Sequence, residues 1–300
     1  MKTPGDPRLD PGLSAIMGER RQLINLAYRL LGSLADAEDV VQETYTRWYA
    51  LSRQQQEAIA SPGAWLMKVA GRICLDVLGS ARVRRESYVG EWIPEPLPDH
   101  REWGEGRADP ADRVTLDESV TMAFLVVLES MTPAERVAFV LHDVFRYPFA
   151  EVAEIVGRSS AACRQLASSA RRRVSASQAP VASVASRADI VREFKKAWEA
   201  KDIQALIGLL DPDATGIADG GGLVNAAPHP IVGGEQVARY LVTIGGVLRG
   251  RTILERTVNG QPGLVIQQDG VTSTVIALGI ANGRVTHFWA VRNPEKLRPW

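Results

Sequence analysis

The spacing of apolar residues changes near Ala179-Pro180, and this change constrains the fold more than any other feature of the sequence. Before this point, apolar residues recur every three or four positions, as in helices that pack by one face. After it, a helical stretch over 190–210 precedes β-branched runs, which Asn-Gly and Asp-Gly pairs separate. Such pairs between strands predict tight hairpins. The chain is therefore predicted to be multidomain, with all-α domains followed by an α+β domain. The β-branched runs cover residues 252–258, 264–267, 271–278 and 285–291.

The composition excludes several classes of protein. The 300 residues are 45% hydrophobic and carry 35 basic and 35 acidic side chains, which is ordinary for a globular protein. No apolar run approaches the ~18 residues that a membrane span needs, and the polar, proline-rich start is unlike a signal peptide. Two cysteines and four histidines favour neither a disulfide framework nor a metal centre. We therefore expect a cytoplasmic protein without membrane attachment, metal or cofactor.

The net charge of zero is the sum of the charges of segments that differ in sign. Residues 87–117 contain eight acidic and three basic side chains together with several prolines and glycines, which predicts a linker or a functional segment. Residues 131–174 contain seven basic and four acidic side chains. Because partners respond to local charge, the overall balance does not exclude a nucleic-acid partner.

Residues 149–174 have the pattern of a helix-turn-helix. A short apolar helix over 149–156 is followed by a turn at Gly157 and a second helix over 160–174, and residues 158–173 hold five arginines and no acid. Arg and Gln side chains of such a helix can pair with base edges or phosphates in a major groove. A solvated basic helix of a bundle is the alternative. The candidate DNA-reading residues are Ser160, Arg164, Gln165, Ser168, Arg171 and Arg172.

Two stretches resemble the extracytoplasmic-function sigma factors. Leu26-Ala27-Tyr28-Arg29-Leu30-Leu31-Gly32-Ser33, Asp36-Ala37-Glu38-Asp39-Val40-Val41-Gln42-Glu43 and Pro62-Gly63-Ala64-Trp65-Leu66 resemble region 2, and Thr132-Pro133-Ala134-Glu135-Arg136 through Val174 resembles region 4. The tail resembles the SnoaL-like branch of the NTF2-like fold, an α+β cone. Three motifs are similar to marks of the subgroup with such a tail: Trp92-Ile93-Pro94-Glu95-Pro96, Asp219-Gly220-Gly221-Gly222 and Asn293-Pro294-Glu295-Lys296-Leu297.

The resemblance implies a fold and a domain order. Region 2 would be a helical bundle over 13–86, and region 4 a helix-turn-helix domain over 118–175. The acidic linker over 87–117 would separate them and approach the active centre and RNA exit path of the polymerase, with a soluble spacer as the alternative. A short linker over 176–187 would lead to the SnoaL-like domain over 188–300.

The resemblance also implies partners, namely core RNA polymerase, through its β′ clamp and β flap, and promoter DNA. The polymerase-binding candidates are the polar residues of one short helix: Asp36, Glu38, Asp39, Gln42 and Glu43. The candidates for the promoter −10 element are basic residues that can contact phosphates: Lys68, Arg72, Arg82, Arg84 and Arg85. The helix-turn-helix candidates would read the −35 element.

The tail is expected to regulate the sigma regions in cis rather than to act as an enzyme. The regulatory candidates are the residues of two subgroup motifs: Trp92, Pro94, Asp219, Gly220, Gly221 and Gly222. One departure stands out, because the subgroup places Lys after the glycines and this chain has Leu223. The alternative is a DNA-binding module fused to a SnoaL-like enzyme, with Asp219, His229 or His287 as polar groups, or to a small-molecule sensor whose ligand is unknown.

Overall fold

The computed structural model describes residues 11–86, 88–99, 120–177, 183–245 and 250–300. These divide into two compact units. The first unit holds residues 11–78 and 133–167, and the second holds residues 79–99, 120–132 and 168–300. The α-helices are α1 (Pro11–Leu31), α2 (Leu34–Tyr49), α3 (Arg53–Glu57), α4 (Pro62–Glu86), α5 (Met122–Glu129), α6 (Pro133–Phe139), α7 (Phe149–Val156), α8 (Ser160–Ser177), α9 (Val184–Glu199), α10 (Ile203–Leu209) and α11 (Gly234–Ile244).

The first unit is helical, and its helices end where local chemistry ends them. Gly32 takes the left-handed φ of +69° just after α1, a conformation that glycine adopts without steric cost. The Ser33 hydroxyl then accepts a hydrogen bond from the Asp36 amide at 3.2 Å and caps α2. The interior of this unit is largely apolar but also buries Arg29 and Arg136, and the Trp48 and Trp65 rings meet edge to face at 5.2 Å. A π-helical turn, Val140–Val144, follows α6.

The predicted helix-turn-helix is present as α7, a turn and α8. Gly157 has φ +69° and ends α7, and the Ser159 hydroxyl accepts from the Ala162 amide at 3.2 Å at the start of α8. One stripe of α8 is buried and consists of small or apolar side chains at helical spacing. These residues are Cys163, Ala167, Ala170 and Val174.

The second unit is built on one six-stranded sheet, with strand order β2-β1-β6-β5-β4-β3. Strand β1 pairs in parallel with β6, and every other neighbouring pair is antiparallel. Asn259, Asp269 and Asn282 have φ near +50°, and each precedes a glycine with positive φ, so the three hairpins have the predicted turns. The strands are β1 (Leu210–Asp219), β2 (Ile231–Val232), β3 (Arg251–Val258), β4 (Gln261–Gln268), β5 (Val271–Ala281) and β6 (Arg284–Val291).

The two faces of this sheet are covered by different parts of the chain. Helices α9, α10 and α11 pack on one face, where Ile276 and Phe288 belong to the core. On the opposite face, Ile93 and Met122 pack with Trp289 and neighbouring side chains. Successive residues of a strand point to opposite faces, so both cores share the same strands. Helix α5 and residues 93–98 are thus packed on the C-terminal sheet.

Three features of the second unit were not predicted. Strand β1 contains Pro212, Gly216 and acidic residues, which disfavour strands, and it forms because β6 and β2 pair with it. Helix α11 was missed because its β-branched residues weaken the helical signal. Residues 93–98 fall in the predicted linker but are buried, and Pro98 forms a β-bridge with Val258. A solvated spacer does not describe this part. The rest of the predicted linker from 100 and the first two positions of the predicted region 4 domain lie outside the described residues.

Candidate functional sites

Helix α8 presents a basic, exposed face opposite its buried stripe. The side chains of Arg164, Gln165, Ser168, Arg171 and Arg172 are exposed, and their spacing of one, three and four residues places them on one face. Ser160 is half-buried in the first turn. The structure thus brings the predicted DNA-reading residues together on a surface that could enter a groove.

Helix α2 carries an exposed acidic face. Glu38, Asp39, Gln42 and Glu43 are exposed, and Asp36 is half-buried in the first turn, where a negative charge favours the helix dipole. The Glu43 carboxylate pairs with Arg47 at 2.8 Å, but both side chains are about half exposed, so this pair contributes little stability. The face therefore remains available to a basic partner.

The basic residues of α4 differ in their surroundings. Lys68 forms an ion pair with Glu154 of α7, and this contact lowers the pKa of the Glu154 carboxyl. Arg72, one helical turn on, is exposed. The side chains of Arg82, Arg84 and Arg85 lie outside the described part of the structure, although α4 extends through their positions.

A buried carboxylate at the end of β1 lies at the centre of a polar cluster in the second unit. Asp219 is fully buried, and its Oδ2 accepts from Lys296 Nζ at 2.7 Å and from the Ile93 amide at 3.0 Å. Its Oδ1 accepts from the Tyr88 hydroxyl at 2.6 Å and from the Gly221 amide at 3.0 Å. We call Tyr88, the Ile93 backbone, Asp219, Asn293 and Lys296 the Asp219 cluster. It joins the segment 88–99 to the ends of β1 and β6.

Further contacts hold the cation and the phenol of this cluster in place. Lys296 Nζ also donates to the Ile93 carbonyl at 2.6 Å and lies 4.0 Å from the Trp92 ring centroid, a cation–π contact. Asn293 Nδ2 donates to the Tyr88 hydroxyl oxygen at 2.9 Å. Burial, and then the hydrogen bond to Asp219, raise the pKa of Tyr88 well above its ordinary value. The phenol therefore stays protonated and donates to the carboxylate at neutral pH.

The glycines after Asp219 are required by the backbone. Gly221 and Gly222 have φ of +60° and +71°. A Cβ on Gly221 would lie 2.3 Å from Asn293 Nδ2, and one on Gly222 would lie 2.9 Å from the Val89 Cβ. The loop thus approaches both the cluster and the segment 88–99 through its lack of side chains. Leu223, in the place of the expected Lys, is 60% exposed, and Lys296 supplies the cation at Asp219.

Contacts beyond the cluster extend the attachment of the segment. The Leu97 amide donates to Asn259 Oδ1 at 3.2 Å, and the Asn259 amide donates to the Leu97 carbonyl at 2.9 Å. The Trp300 indole donates to the Pro96 carbonyl at 2.8 Å, and Pro94 is buried. The segment is therefore docked along its length, from Tyr88 to Pro98.

Sequence reasoning named Asp219, the glycines, Trp92 and Pro94 but missed three members of the cluster. Tyr88 lies outside the three subgroup motifs. Asn293 and Lys296 lie in the quoted motif after β6, so their polar residues were a signal that could have been used. Their role became visible only once β1 and β6 were paired in register, because this pairing brings Asp219 opposite Val291.

A cavity of about 440 Å³ lies among the helices and the helix-covered face of the sheet. Its lining includes Trp198, Leu241 and Phe288 as well as Arg251 and Arg292. Asp219, His229 and His287, considered above as polar groups of an enzyme, are not among the residues that line it. In the part of the chain that the structure describes, no group of three or more His, Cys, Asp or Glu could hold a metal ion. No helix among those residues could cross a bilayer.

Family models match both helical parts of the chain. The Sigma-70 region 2 model matches residues 16–85, and the Sigma-70, region 4 model matches residues 121–174. The first match covers α2 with its acidic face and most of α4. The second covers the helix-turn-helix and also α5, which packs on the C-terminal sheet.

Relatives match nearly the whole chain. It is 39% identical over 291 residues to the ECF RNA polymerase sigma factor SigJ of Mycobacterium tuberculosis, an alignment of 93% of this chain and 90% of that protein. It is 34% identical over 297 residues to the probable ECF RNA polymerase sigma factor SigI of the same species, covering 97% and 96%. The crystal structure of M. tuberculosis SigJ superposes with a TM-score of 0.74 at 35% identity, covering 96% of this chain and 98% of that chain. The expected fold class, helical sigma domains followed by an α+β domain, is confirmed.

Proposed function

The chain belongs to the extracytoplasmic-function RNA polymerase sigma factors, and from this premise we propose that the Asp219 cluster is the element through which its C-terminal domain controls initiation in cis. Proteins of this family bind core RNA polymerase and direct transcription from promoter DNA. The chain is therefore a transcription initiation factor, and the proposal concerns how its tail acts on that activity.

One observation carries the proposal. The fully buried Asp219 carboxylate bonds to the side chain of Tyr88 and the backbone of Ile93, both in the stretch that joins the region 2 match to the region 4 match. A charge with no exposed surface is stable only when it is paired and fully hydrogen-bonded. The cluster is thus bonded to the C-terminal domain and to the inter-region segment at the same time.

The docked segment defines two states of the chain. While residues 88–99 are packed on the sheet, they are held apart from any path through the polymerase. When they are released, the segment is free, but Asp219 loses its hydrogen bonds to Tyr88 and Ile93, and Lys296 loses its bond to the Ile93 carbonyl. A residue shifts the populations of the docked and released states to the extent that it interacts more strongly with one state than with the other. The tail therefore sets initiation through the stability of the docked segment.

Replacing Asp219 by Asn tests this control in run-off transcription with purified core polymerase, on a promoter identified by mapping the chain's binding sites on the chromosome. The substitution keeps the side-chain size but removes the charge that Lys296 and the Ile93 amide contact. Transcript yield at saturating protein is expected to change at least threefold. Asp213→Asn is the matched control because Asp213 is exposed on the same strand. Equal yields from wild type, Asp219→Asn and the control would contradict the proposal.

A point substitution is the better test than removal of the tail after residue 180. The tail covers Ile93 and Met122 with apolar side chains of the sheet. Its removal would expose this apolar surface to water, which favours aggregation irrespective of regulation. Loss of activity on truncation would therefore have two causes that the experiment could not separate.

For polymerase binding, the proposed contact is the acidic face of α2 with the β′ clamp, while the helix-turn-helix region would approach the β flap. Reversing two exposed charges, Glu38→Lys with Asp39→Lys, is expected to weaken binding to core polymerase at least tenfold at low salt. The loss should shrink as salt rises, because exposed charges are screened. Fluorescence-detected titration of labelled protein with core polymerase measures it.

The matched control for this charge reversal is Glu193→Lys with Glu235→Lys. Both side chains are more than half exposed on the C-terminal domain, and the net charge changes equally. An equal loss in this control would mean that overall charge, rather than the α2 face, governs binding.

For the −10 element, Arg72 and the basic end of α4 carry the proposed phosphate contacts, supported by the exposure of Arg72. Lys68 can contribute only after its pair with Glu154 opens. The −35 contacts are proposed for the exposed face of α8.

A further inference from the structure

The cavity of the C-terminal domain has an uneven distribution of charge. Most of its lining is apolar, with Trp198, Ile266 and Phe288 among the side chains. The lining also contains two cations, Arg251 at the start of β3 and Arg292 just after β6. Both residues are half-buried. An apolar chamber with a localised pair of positive charges is a recognisable kind of ligand site.

The two arginines have no acidic partner among the described residues. Arg251 Nε donates to the Gln268 side-chain oxygen at 3.2 Å, and Arg292 donates to the Asn225 carbonyl. Both acceptors are neutral, and neither arginine takes part in an ion pair with a carboxylate described in the structure. Other arginines of the domain, such as Arg192 and Arg239, pair with nearby carboxylates.

The two cations also oppose each other. Burial lowers the pKa of Arg292, and the positive charge of Arg251 lowers it further, while Tyr240 acts in the opposite direction. Both cations line the same apolar chamber, so their repulsion acts within the empty cavity. An anion placed between them would relieve this repulsion and form charge-assisted hydrogen bonds.

We propose that this cavity binds an amphipathic anion, with its negative head group on Arg251 and Arg292 and its apolar body against the lining of the chamber. The guanidinium pair suits a carboxylate or a similar oxyanion, because Arg presents parallel N–H donors to two oxygens. The volume of about 440 Å³ lies within the usual range of small-molecule sites. The proposal concerns binding alone, so it stands or falls independently of the control by the Asp219 cluster.

The test is isothermal titration of the full chain with compounds that share one apolar body and differ in their head group: octanoate, octanol and octyltrimethylammonium. Acetate supplies the anion without the body. Octanoate is expected to bind at one site, at least tenfold more tightly than octanol, because charge-assisted hydrogen bonds to a half-buried arginine are stronger than those of a neutral hydroxyl. Octyltrimethylammonium and acetate are expected to bind more weakly than octanol.

The double variant Arg251→Met with Arg292→Met keeps an unbranched apolar stem at both positions and removes their charges. It is expected to bind octanoate no better than octanol, with octanol binding retained. Its thermal midpoint should equal or exceed that of wild type, because a repulsive pair is removed. Arg256→Met is the matched control, since Arg256 is exposed on the same strand, β3, and octanoate affinity should be unchanged.

Several results would overturn the proposal: no binding of octanoate, equal binding of octanoate and octanol, or full octanoate affinity in the double variant. Binding of acetate as tight as that of octanoate would do the same, since it would identify an adventitious anion only. If the double variant loses octanol binding and its thermal midpoint falls, it is destabilised, and octanoate binding is measured in the single variants Arg251→Met and Arg292→Met instead. Each is then expected to weaken octanoate binding at least threefold, and unchanged affinity in both contradicts the proposal.

Discussion

Asp219→Asn is expected to lower the free energy of unfolding by about 3 kcal/mol, because removing one partner of a buried ion pair leaves the other charge uncompensated. Lys296, whose side chain is 11% exposed, would keep its charge beside a neutral amide. The amide would also turn donor groups toward Tyr88 or the Ile93 backbone, which themselves donate to the carboxylate. Chemical denaturation with probes in the second unit measures the loss.

Hydrogen exchange locates the effect of this substitution. The Ile93 amide is protected by its bond to Asp219 Oδ2 at 3.0 Å. The expected loss of about 3 kcal/mol corresponds to roughly hundredfold faster exchange of this amide, because each 1.4 kcal/mol is a factor of ten. Amides in the β4–β5 hairpin should change much less. Uniform acceleration across the sheet would indicate general unfolding, whereas unchanged exchange at Ile93 would contradict the assigned bonds.

A double-mutant cycle separates the ion pair from its surroundings. Lys296→Met leaves Asp219 with three hydrogen-bond donors, namely Tyr88, the Ile93 amide and the Gly221 amide. Adding Asp219→Asn to Lys296→Met is expected to cost less than Asp219→Asn alone, because no uncompensated cation remains. Strict additivity of the two substitutions would mean that their 2.7 Å contact is not energetically coupled.

Arg171→Ala with Arg172→Ala is expected to weaken binding of the polymerase complex to promoter DNA by about tenfold to a hundredfold at low salt. The two side chains are exposed on the face of α8 opposite its buried stripe, so the variant should fold normally. If both contact phosphates, the slope of log affinity against log salt falls by about 2 in magnitude. Fluorescence anisotropy of labelled promoter DNA with core polymerase and the variant measures both quantities.

The control for this experiment removes the same number of positive charges from another part of the chain. Arg239→Ala with Arg256→Ala removes two exposed arginines from the C-terminal domain. Its affinity and salt slope should match those of wild type. Were it to lose affinity as the α8 variant does, the effect would reflect net charge, and α8 would lose its assignment as the recognition helix.

Local patterns predicted much of the fold. The helical spacing, Gly32, Ser33 and the hairpin pairs from Asn259 onward encode structure within a few neighbouring residues, so single-sequence reasoning located these elements. The helix-turn-helix was equally local, and its exposed basic face follows from spacing alone. Zero net charge, by contrast, proved uninformative, because acidic α2 and basic α8 are separate surfaces.

Long-range packing determined what the sequence could not predict. Strand β1 depends on its pairing with β6. In this pairing the partner of Leu210 is Val285, which lies some 75 residues later in the chain. The docking of residues 93–98 depends on the apolar face that this sheet offers. For the same reason Tyr88 and Lys296 were missed, since 131 and 77 residues separate them from Asp219 along the chain. Such contacts have no local signature.

The control of initiation by the Asp219 cluster is tested most directly by a graded series in run-off transcription with core polymerase. Tyr88→Phe, Lys296→Met and Asp219→Asn remove different bonds to the same carboxylate, and Tyr49→Phe is an exposed control. For each variant, transcript yield at saturating protein is compared with the opening free energy of the Ile93 amide. Yield is expected to change steadily with opening, and the control is expected to match wild type. Yields that stay at the wild-type level while Asp219→Asn frees the segment would contradict it.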